Sequence, residues 1–117
     1  MKIAIATDGT QVAHHFGRCQ SYTIVEIENN EILKKSTIDN PGHEPGFLPK
    51  FLSEKGVNCI LAGGMGPKAI NLFEEKNVEP IVGVHGSIDK VIEDFLNHNI
   101  EVGDSKCSHE IRDPKHN

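Results

Sequence analysis

Six consecutive residues near the start of the chain, HHFGRC at positions 14–19, carry side chains that ligate metals, attack electrophiles or bind anions. Imidazole and thiolate groups are ligands for zinc, copper and iron. A thiol beside an imidazole can also lose its proton and act as a nucleophile, and the Arg18 guanidinium can bind an anion. The stretch therefore suggests a metal site, a Cys–His catalytic pair or an anion-binding loop.

The cysteine spacing does not favour a closed zinc site. His15, Cys19, Cys107 and His109 supply suitable ligand types, but the close C-x-x-C pair of structural zinc sites is absent. A site with fewer or more widely spaced ligands, for a soft metal or a metal-sulfide cluster, is kept as an alternative hypothesis. A Cys19 nucleophile is disfavoured, because no neighbouring Asn or Asp is placed to orient its histidine.

Two glycine-rich segments, GGMGPK (63–68) and GVHGS (83–87), each follow an apolar run and precede a helical pattern. Backbone amides that glycine leaves exposed at a helix start favour an anion. Residues 64–69 match the dinucleotide motif G-x-G-x-x-A, but Pro67 removes one amide, and no acidic residue ends the next strand. Two interpretations of these segments are therefore kept: an anion-binding site, and a pair of tight turns without a ligand.

Asp8 follows the first apolar run, where a metal-dependent hydrolase would hold a carboxylate. Two-metal chemistry needs several converging carboxylates. The other acidic residues considered fall on the predicted hairpin and helices, so we expect Asp8 to belong to a turn, and a hydrolase is the third alternative.

The hydrophobic pattern predicts the elements that position these segments. The predicted strands are KIAIAT (2–7), SYTIVEIE (21–28), EILKKSTID (31–39), NCILAGG (58–64) and EPIVGV (79–84), and the predicted helices cover 45–55, a segment that begins at Pro67 and a segment capped by Ser87. Asn29 and Asn30 suit a two-residue hairpin turn. This order predicts an α/β fold with a ribonuclease-H-like mixed sheet, a β-hairpin plus parallel strands, and three helices.

In such a sheet, the hairpin extends one side of the first strand and the parallel strands extend the other. Segments that leave the carboxyl ends of parallel strands gather at one edge, where ligands usually bind. We therefore expect HHFGRC to face the two glycine-rich segments, including His85.

The composition limits the classes of function. The length of 117 residues is that of one domain, which we place at 1–103, followed by a polar tail at 104–117. The net charge is −5 without a basic block, so nucleic acid is not an expected partner. No apolar run is long enough to cross a bilayer, and the first residues do not read as a signal peptide, so we expect no membrane partner and a cytoplasmic location.

HFGRC after the TDG strand end, the segment GVNCILAGGMGPKAINLFEEKNVEPIVG and the closing helix together resemble the dinitrogenase iron-molybdenum cofactor biosynthesis family, small domains related to nitrogenase accessory proteins. The resemblance covers almost all of residues 1–103. Its most specific pieces are HFGR and GGMG, in the right order and separation. It implies a ribonuclease-H-like fold without nuclease activity.

The resemblance also implies that the protein is not an enzyme but binds, carries or protects a metal-sulfur cluster, an iron-molybdenum cofactor precursor or a related iron-sulfur or molybdenum cluster. The residues expected to contact this cofactor are His15, Phe16, Gly17, Arg18, Gly63, Gly64, Met65, Gly66 and His85. The candidate metal ligands are His15, Cys19, Cys107 and His109, the last two because the CSH tail resembles those of some short relatives.

The implied partners are cluster-assembly proteins and iron-sulfur P-loop ATPases. A second hypothesis is a regulatory module whose glycine-rich edge binds such an ATPase or a small anion without a metal. The predicted hairpin leaves a strand edge that can pair with another copy or stay bare, so the oligomeric state is open.

Overall fold

The computed structural model describes residues 1–42 and 47–97. Within these ranges the elements are β1 (Lys2–Asp8), β2 (Gln11–Val12), β3 (Ser21–Glu28), β4 (Glu31–Asp39), α1 (Phe47–Glu54), β5 (Cys59–Leu61), α2 (Pro67–Glu75), β6 (Glu79–Ile81) and α3 (Ile88–Leu96). The predicted start of the first helix at residue 45 and the predicted tail at 104–117 lie outside the described residues.

The strands form one mixed sheet in the order β4-β3-β1-β5-β6, with β2 paired to β1 beside this path. Strand β1 is antiparallel to β3 and parallel to β5, and β5 is parallel to β6. The hairpin therefore extends one side of β1 and the parallel strands extend the other. The predicted α/β mixed sheet with three helices is confirmed.

Local sequence signals explain where several elements begin and end. Asn29 and Asn30 have φ angles of 53° and 66°, as a two-residue hairpin turn between β3 and β4 requires. Pro67 opens α2, where its missing N–H costs no helical hydrogen bond. Ser87 caps α3, because its side chain accepts a hydrogen bond from the Lys90 backbone N–H at 3.2 Å.

Both faces of the sheet are covered. Ile3 and Ile5 of β1 lie in a buried cluster with α3, whereas the alternating residues Ala4 and Ala6 lie in a second cluster with α1 and α2. This two-sided burial explains the continuous apolar run of β1. Cys59 is fully buried in β5. The packed sheet provides a fixed base for the loops at the ends of its strands.

Helix α1 buries Leu48 and Leu52, but not every apolar residue at helical spacing. Phe47 stays 40% exposed and stacks on Phe51, with 5.6 Å between the ring centroids. None of the described helices is long and apolar enough to span a bilayer.

Candidate functional site

The short strand β2 directs the chain back over the carboxyl end of β1. Thr7 pairs with Val12 and Asp8 with Gln11, on either side of a turn that contains Gly9 at a φ of 64°. The following residues, 13–20, which we call the site loop, are thereby placed over the ends of the parallel strands. The sequence did not reveal β2, because two residues are too few to show a hydrophobic period.

The site loop contacts the first glycine-rich segment through backbone hydrogen bonds. The Gly63 N–H donates to the Ala13 carbonyl and the Phe16 N–H donates to the Gly64 carbonyl, both at 2.9 Å. A Cβ at Gly63 would lie 3.0 Å from the Ala13 oxygen and from the His14 Cα. Glycine at position 63 therefore permits an approach of two backbones that a side chain would prevent.

The second glycine-rich segment is hydrogen-bonded to the first one and to β2, which precedes the site loop. The Gly83 N–H donates to the Gly63 carbonyl at 3.0 Å, and the Val12 N–H donates to the Gly86 carbonyl at 2.9 Å. His85 lies exposed between these two anchor points. The structure thus brings together the three segments that the topology was expected to gather at this edge.

Phe16 anchors the site loop to the core. Its ring meets that of the fully buried Phe73 edge-on, with 5.0 Å between the centroids, and lies 5.7 Å from the ring of Tyr22. Such tilted and edge-to-face contacts are favourable aromatic geometries. Phe16 was expected to contact the cofactor, and these contacts give its half-buried side chain a structural role in the loop.

Asn40, which follows β4, holds the other end of the site loop. Its side-chain amide nitrogen donates to the carbonyls of Gly17 at 3.2 Å and Cys19 at 2.8 Å. Its side-chain oxygen accepts from the Gly42 N–H at 3.0 Å, and its own N–H donates to the Gln20 carbonyl at 3.0 Å. Sequence reasoning missed Asn40: the Asn-Pro-Gly that it begins indicates a turn, but not a partner more than twenty residues away.

Cys19 of the site loop and Tyr22 of β3 lie in the same buried cluster. Cys19 is 4% exposed and Tyr22 is fully buried. Burial, and next the neighbouring Cys19 thiol, raise the pKa of the Tyr22 hydroxyl far above its ordinary value, so this group stays protonated. Within residues 1–42 and 47–97, the hydroxyl has no hydrogen-bond partner.

Asp8 closes the site loop rather than joining an acidic cluster. Its carboxylate accepts a hydrogen bond from the Gln20 N–H at 2.9 Å, and the Gln20 side-chain oxygen accepts one from the Gly9 N–H at 3.1 Å. In the described part of the chain, no three His, Cys, Asp or Glu side chains converge as a metal chelate. The hydrolase alternative therefore gains no support from these residues, and Asp8 has the turn role expected of it.

The exposed side chains along the joined segments are mostly cationic or imidazole groups: His14, His15, Arg18, Lys68 and His85. Beneath them lies glycine backbone, including Gly66, the N-cap of α2, which has no side chain to accept the first-turn N–H groups. A Cβ at Gly64 would lie 3.9 Å from the His15 Nδ1, so this imidazole borders the glycine segment. Such an edge suits an anion or an anionic, metal-bearing group.

The remaining predicted residues are placed as follows. Met65 is half-buried and packs against the cluster under α1 and α2, and Gly17 adopts a φ of 93° in the site loop. The candidate ligands Cys107 and His109 lie outside the described residues. The roles assigned from the sequence to these side chains stay predictions.

Comparison with known proteins identifies relatives along nearly the whole described chain. The sequence model of the family described as dinitrogenase iron-molybdenum cofactor matches residues 1–98. The uncharacterized protein MJ0580 of Methanocaldococcus jannaschii is 37% identical over 106 residues, which cover 86% of this chain and 90% of that protein.

Solved structures share the fold. The crystal structure of PH0822 is 30% identical with a TM-score of 0.81, covering 89% of this chain and 97% of that one. A putative dinitrogenase from Methanocaldococcus jannaschii, mj0327, is 24% identical with a TM-score of 0.73, covering 90% of this chain and 96% of that one. These findings agree with the resemblance carried by HFGR and GGMG: the chain belongs to the dinitrogenase iron-molybdenum cofactor family.

Proposed function

We propose that this protein binds and carries, or protects, a metal-sulfur cluster, an iron-molybdenum cofactor precursor or a related iron-sulfur or molybdenum cluster, without catalysing a reaction itself. Family membership supports a role in iron-molybdenum cofactor biosynthesis or a related cluster function. The observation that carries the proposal is the edge where the site loop and both glycine-rich segments are hydrogen-bonded together under exposed imidazole and cationic side chains.

The electrostatics of this edge suit a cluster with negative charge. Thiolate and sulfide ligands make such clusters anionic in many oxidation states, and backbone amides at a helix start stabilise an anion. Gly66 leaves the first turn of α2 without a side-chain cap, and positive charge comes from the exposed Lys68 in that turn and from the exposed Arg18 in the site loop. The cluster would therefore be attracted to the amides of the glycine segment.

Metal ligation would come from few protein groups. His15 is exposed and borders Gly64, so its imidazole can bind a metal atom at the surface of the cluster. A carrier must release its cargo, and few ligands on an open edge favour release more than a closed four-ligand site does. The partners that would supply or accept the cluster are cluster-assembly proteins or iron-sulfur P-loop ATPases, and we propose the cytoplasm as the location.

Val82 favours a second candidate function, the regulatory module that binds a partner ATPase or a small anion without a metal. Its side chain is 49% exposed beside Gly83, at the same edge. An apolar side chain there can contact a partner protein. In this alternative the glycine-rich edge would be an interaction surface and the exposed histidines would not ligate a metal.

Anaerobic reconstitution tests the proposed function. The purified chain is incubated with ferrous iron and sulfide, with and without molybdate, under reducing conditions; unbound ions are then removed, and iron, molybdenum and acid-labile sulfide are measured with the visible absorbance. We expect the wild-type chain to retain a cluster and His15→Ala to lose most of it. His14→Ala is the matched control, because His14 is also an exposed imidazole of the site loop, and it should retain the cluster. A wild-type chain that takes up neither metal nor sulfide contradicts the proposal.

A further inference from the structure

Cys59, the first residue of β5, takes part in a disulfide bond. Cys19 is a free thiol. The chain contains three cysteines, so the sulfur joined to Cys59 within one chain can only be that of Cys107. A bond between two copies of the chain is disfavoured, because Cys59 is fully buried. These observations connect β5 with the segment that follows α3.

The place of Cys59 in the sheet allows this pairing. It is aligned with Glu79 at the amino ends of β5 and β6, the edge opposite the site loop. Helix α3 begins beside the site loop, where the Gly86 carbonyl accepts a hydrogen bond from β2, and runs nine residues away from it. Near its end, Phe95 lies in the same buried cluster as Cys59. Residues 98–106 span roughly 30 Å when extended, which is ample reach from the end of α3 to Cys59.

Charge at this edge of the sheet is also compatible with the pairing. Glu74 and Glu79 line a surface pocket there, and Glu79 is the register partner of Cys59. Lys106 directly precedes Cys107 in the sequence. A disulfide brings the two Cα atoms to about 4–7 Å, so Lys106 would come close to these carboxylates, and opposite charges attract.

We propose that Cys59 and Cys107 form a disulfide that fastens the C-terminal segment to the edge of the sheet opposite the site loop. Each thiol loses its proton, and the two electrons released reduce an oxidant such as oxidised glutathione to two thiols. Because Cys59 is fully buried, reducing thiols have little access to the bond once it has formed. The bond takes Cys107 out of the candidate metal ligands. This goes beyond the proposed function, which does not require Cys107.

Peptide mapping tests the pairing. The chain is purified without reductant, incubated with oxidised glutathione and digested with trypsin under non-reducing conditions. We expect peptide 56–68 to be linked to peptide 107–112, and the link to disappear after reduction. Cys19→Ala is the matched control and should keep the link. Cys107→Ser should leave peptide 56–68 unlinked.

Thermal unfolding tests whether the bond holds the folded chain. Wild-type protein that is reduced while unfolded and refolded with a phosphine should melt roughly 10 °C lower than the oxidised protein, because a cross-link restricts the unfolded state. Cys107→Ser should melt like the reduced wild type and should not respond to the phosphine. Ser108→Ala, a substitution in the same segment, should respond like the wild type.

The effect on the cargo is measured with the iron and sulfide reconstitution. Cys107→Ser should retain as much iron and sulfide as the wild type, because Cys107 is not a ligand in this proposal. A loss of retention in this variant would overturn the proposal.

The proposal is also overturned if peptide 56–68 is unlinked, if it is linked to peptide 19–34, which contains Cys19, or if Cys107→Ser melts like the oxidised wild type. Failure of the proposed function gives a different result. If the peptides are linked but the wild-type chain takes up neither iron nor sulfide, the carrier function is wrong and the disulfide stands.

Discussion

The side-chain amide of Asn40 donates a 2.8 Å hydrogen bond to the backbone carbonyl of Cys19, linking the end of β4 to the site loop. The same nitrogen donates to the Gly17 carbonyl, so one side chain binds two carbonyls of the loop backbone. At the other end, the loop is fixed by Phe16 on the core and by the Gly64 carbonyl. The candidate ligand His15 thus lies on a loop that is held from both sides.

Asn40→Ala should free the carboxyl-terminal half of the site loop. Lost hydrogen bonds to partly buried carbonyls should reduce the free energy of unfolding by about 1–3 kcal/mol. Urea unfolding measures this change, and amide hydrogen exchange should quicken at residues 17–20. Asn71→Ala is the control, since Asn71 is exposed on α2. Equal stability of the Asn40 variant and wild type would show that these hydrogen bonds do not hold the loop.

The sequence predicts the framework of this site better than its interior. The apolar run of β1, the Asn29–Asn30 turn and the Ser87 cap are local signals, and each was sufficient to place its element. Parallel pairing then brings the three loops to one edge. The contacts of Asn40 depend on residues more than twenty positions away in the chain, so they cannot be derived from spacing alone.

Gly63→Ala should separate the site loop from the first glycine-rich segment. The added Cβ would lie 3.0 Å from backbone atoms of Ala13 and His14, and backbone cannot yield as a flexible side chain does. We expect a loss of about 1–3 kcal/mol in unfolding free energy, together with weaker cluster retention. Gly66→Ala, where the Cβ meets nothing within 4 Å, should change stability by less than about 1 kcal/mol. Similar losses in both variants would contradict the argument from close approach.

Gly66→Ser should affect stability and cargo binding in opposite directions. Gly66 is the N-cap of α2 and forms no side-chain cap, so a serine hydroxyl there can accept a first-turn N–H. We expect the free energy of unfolding to rise by a few tenths of a kcal/mol, with an upper limit of roughly 0.5 kcal/mol. If the first-turn amides bind the anionic cluster, the hydroxyl competes for them and reconstituted protein should retain less iron and sulfide. Unchanged retention would place the cluster away from this helix start.

Tyr22 should make the protein sensitive to alkali. It is the only tyrosine, and the chain contains no tryptophan, so tyrosinate absorbance reports this residue alone. In the folded chain its pKa is raised, whereas an unfolded tyrosine ionises near pH 10. The unfolded state therefore releases a proton that the folded state keeps, and the free energy of unfolding should fall above pH 10 by about 1.4 kcal/mol per pH unit.

Tyrosinate absorbance and far-ultraviolet circular dichroism should change together as the pH rises, and Tyr22→Phe should resist alkali better. Tyrosinate forming near pH 10 in a chain with native circular dichroism would mean that the hydroxyl is accessible to water.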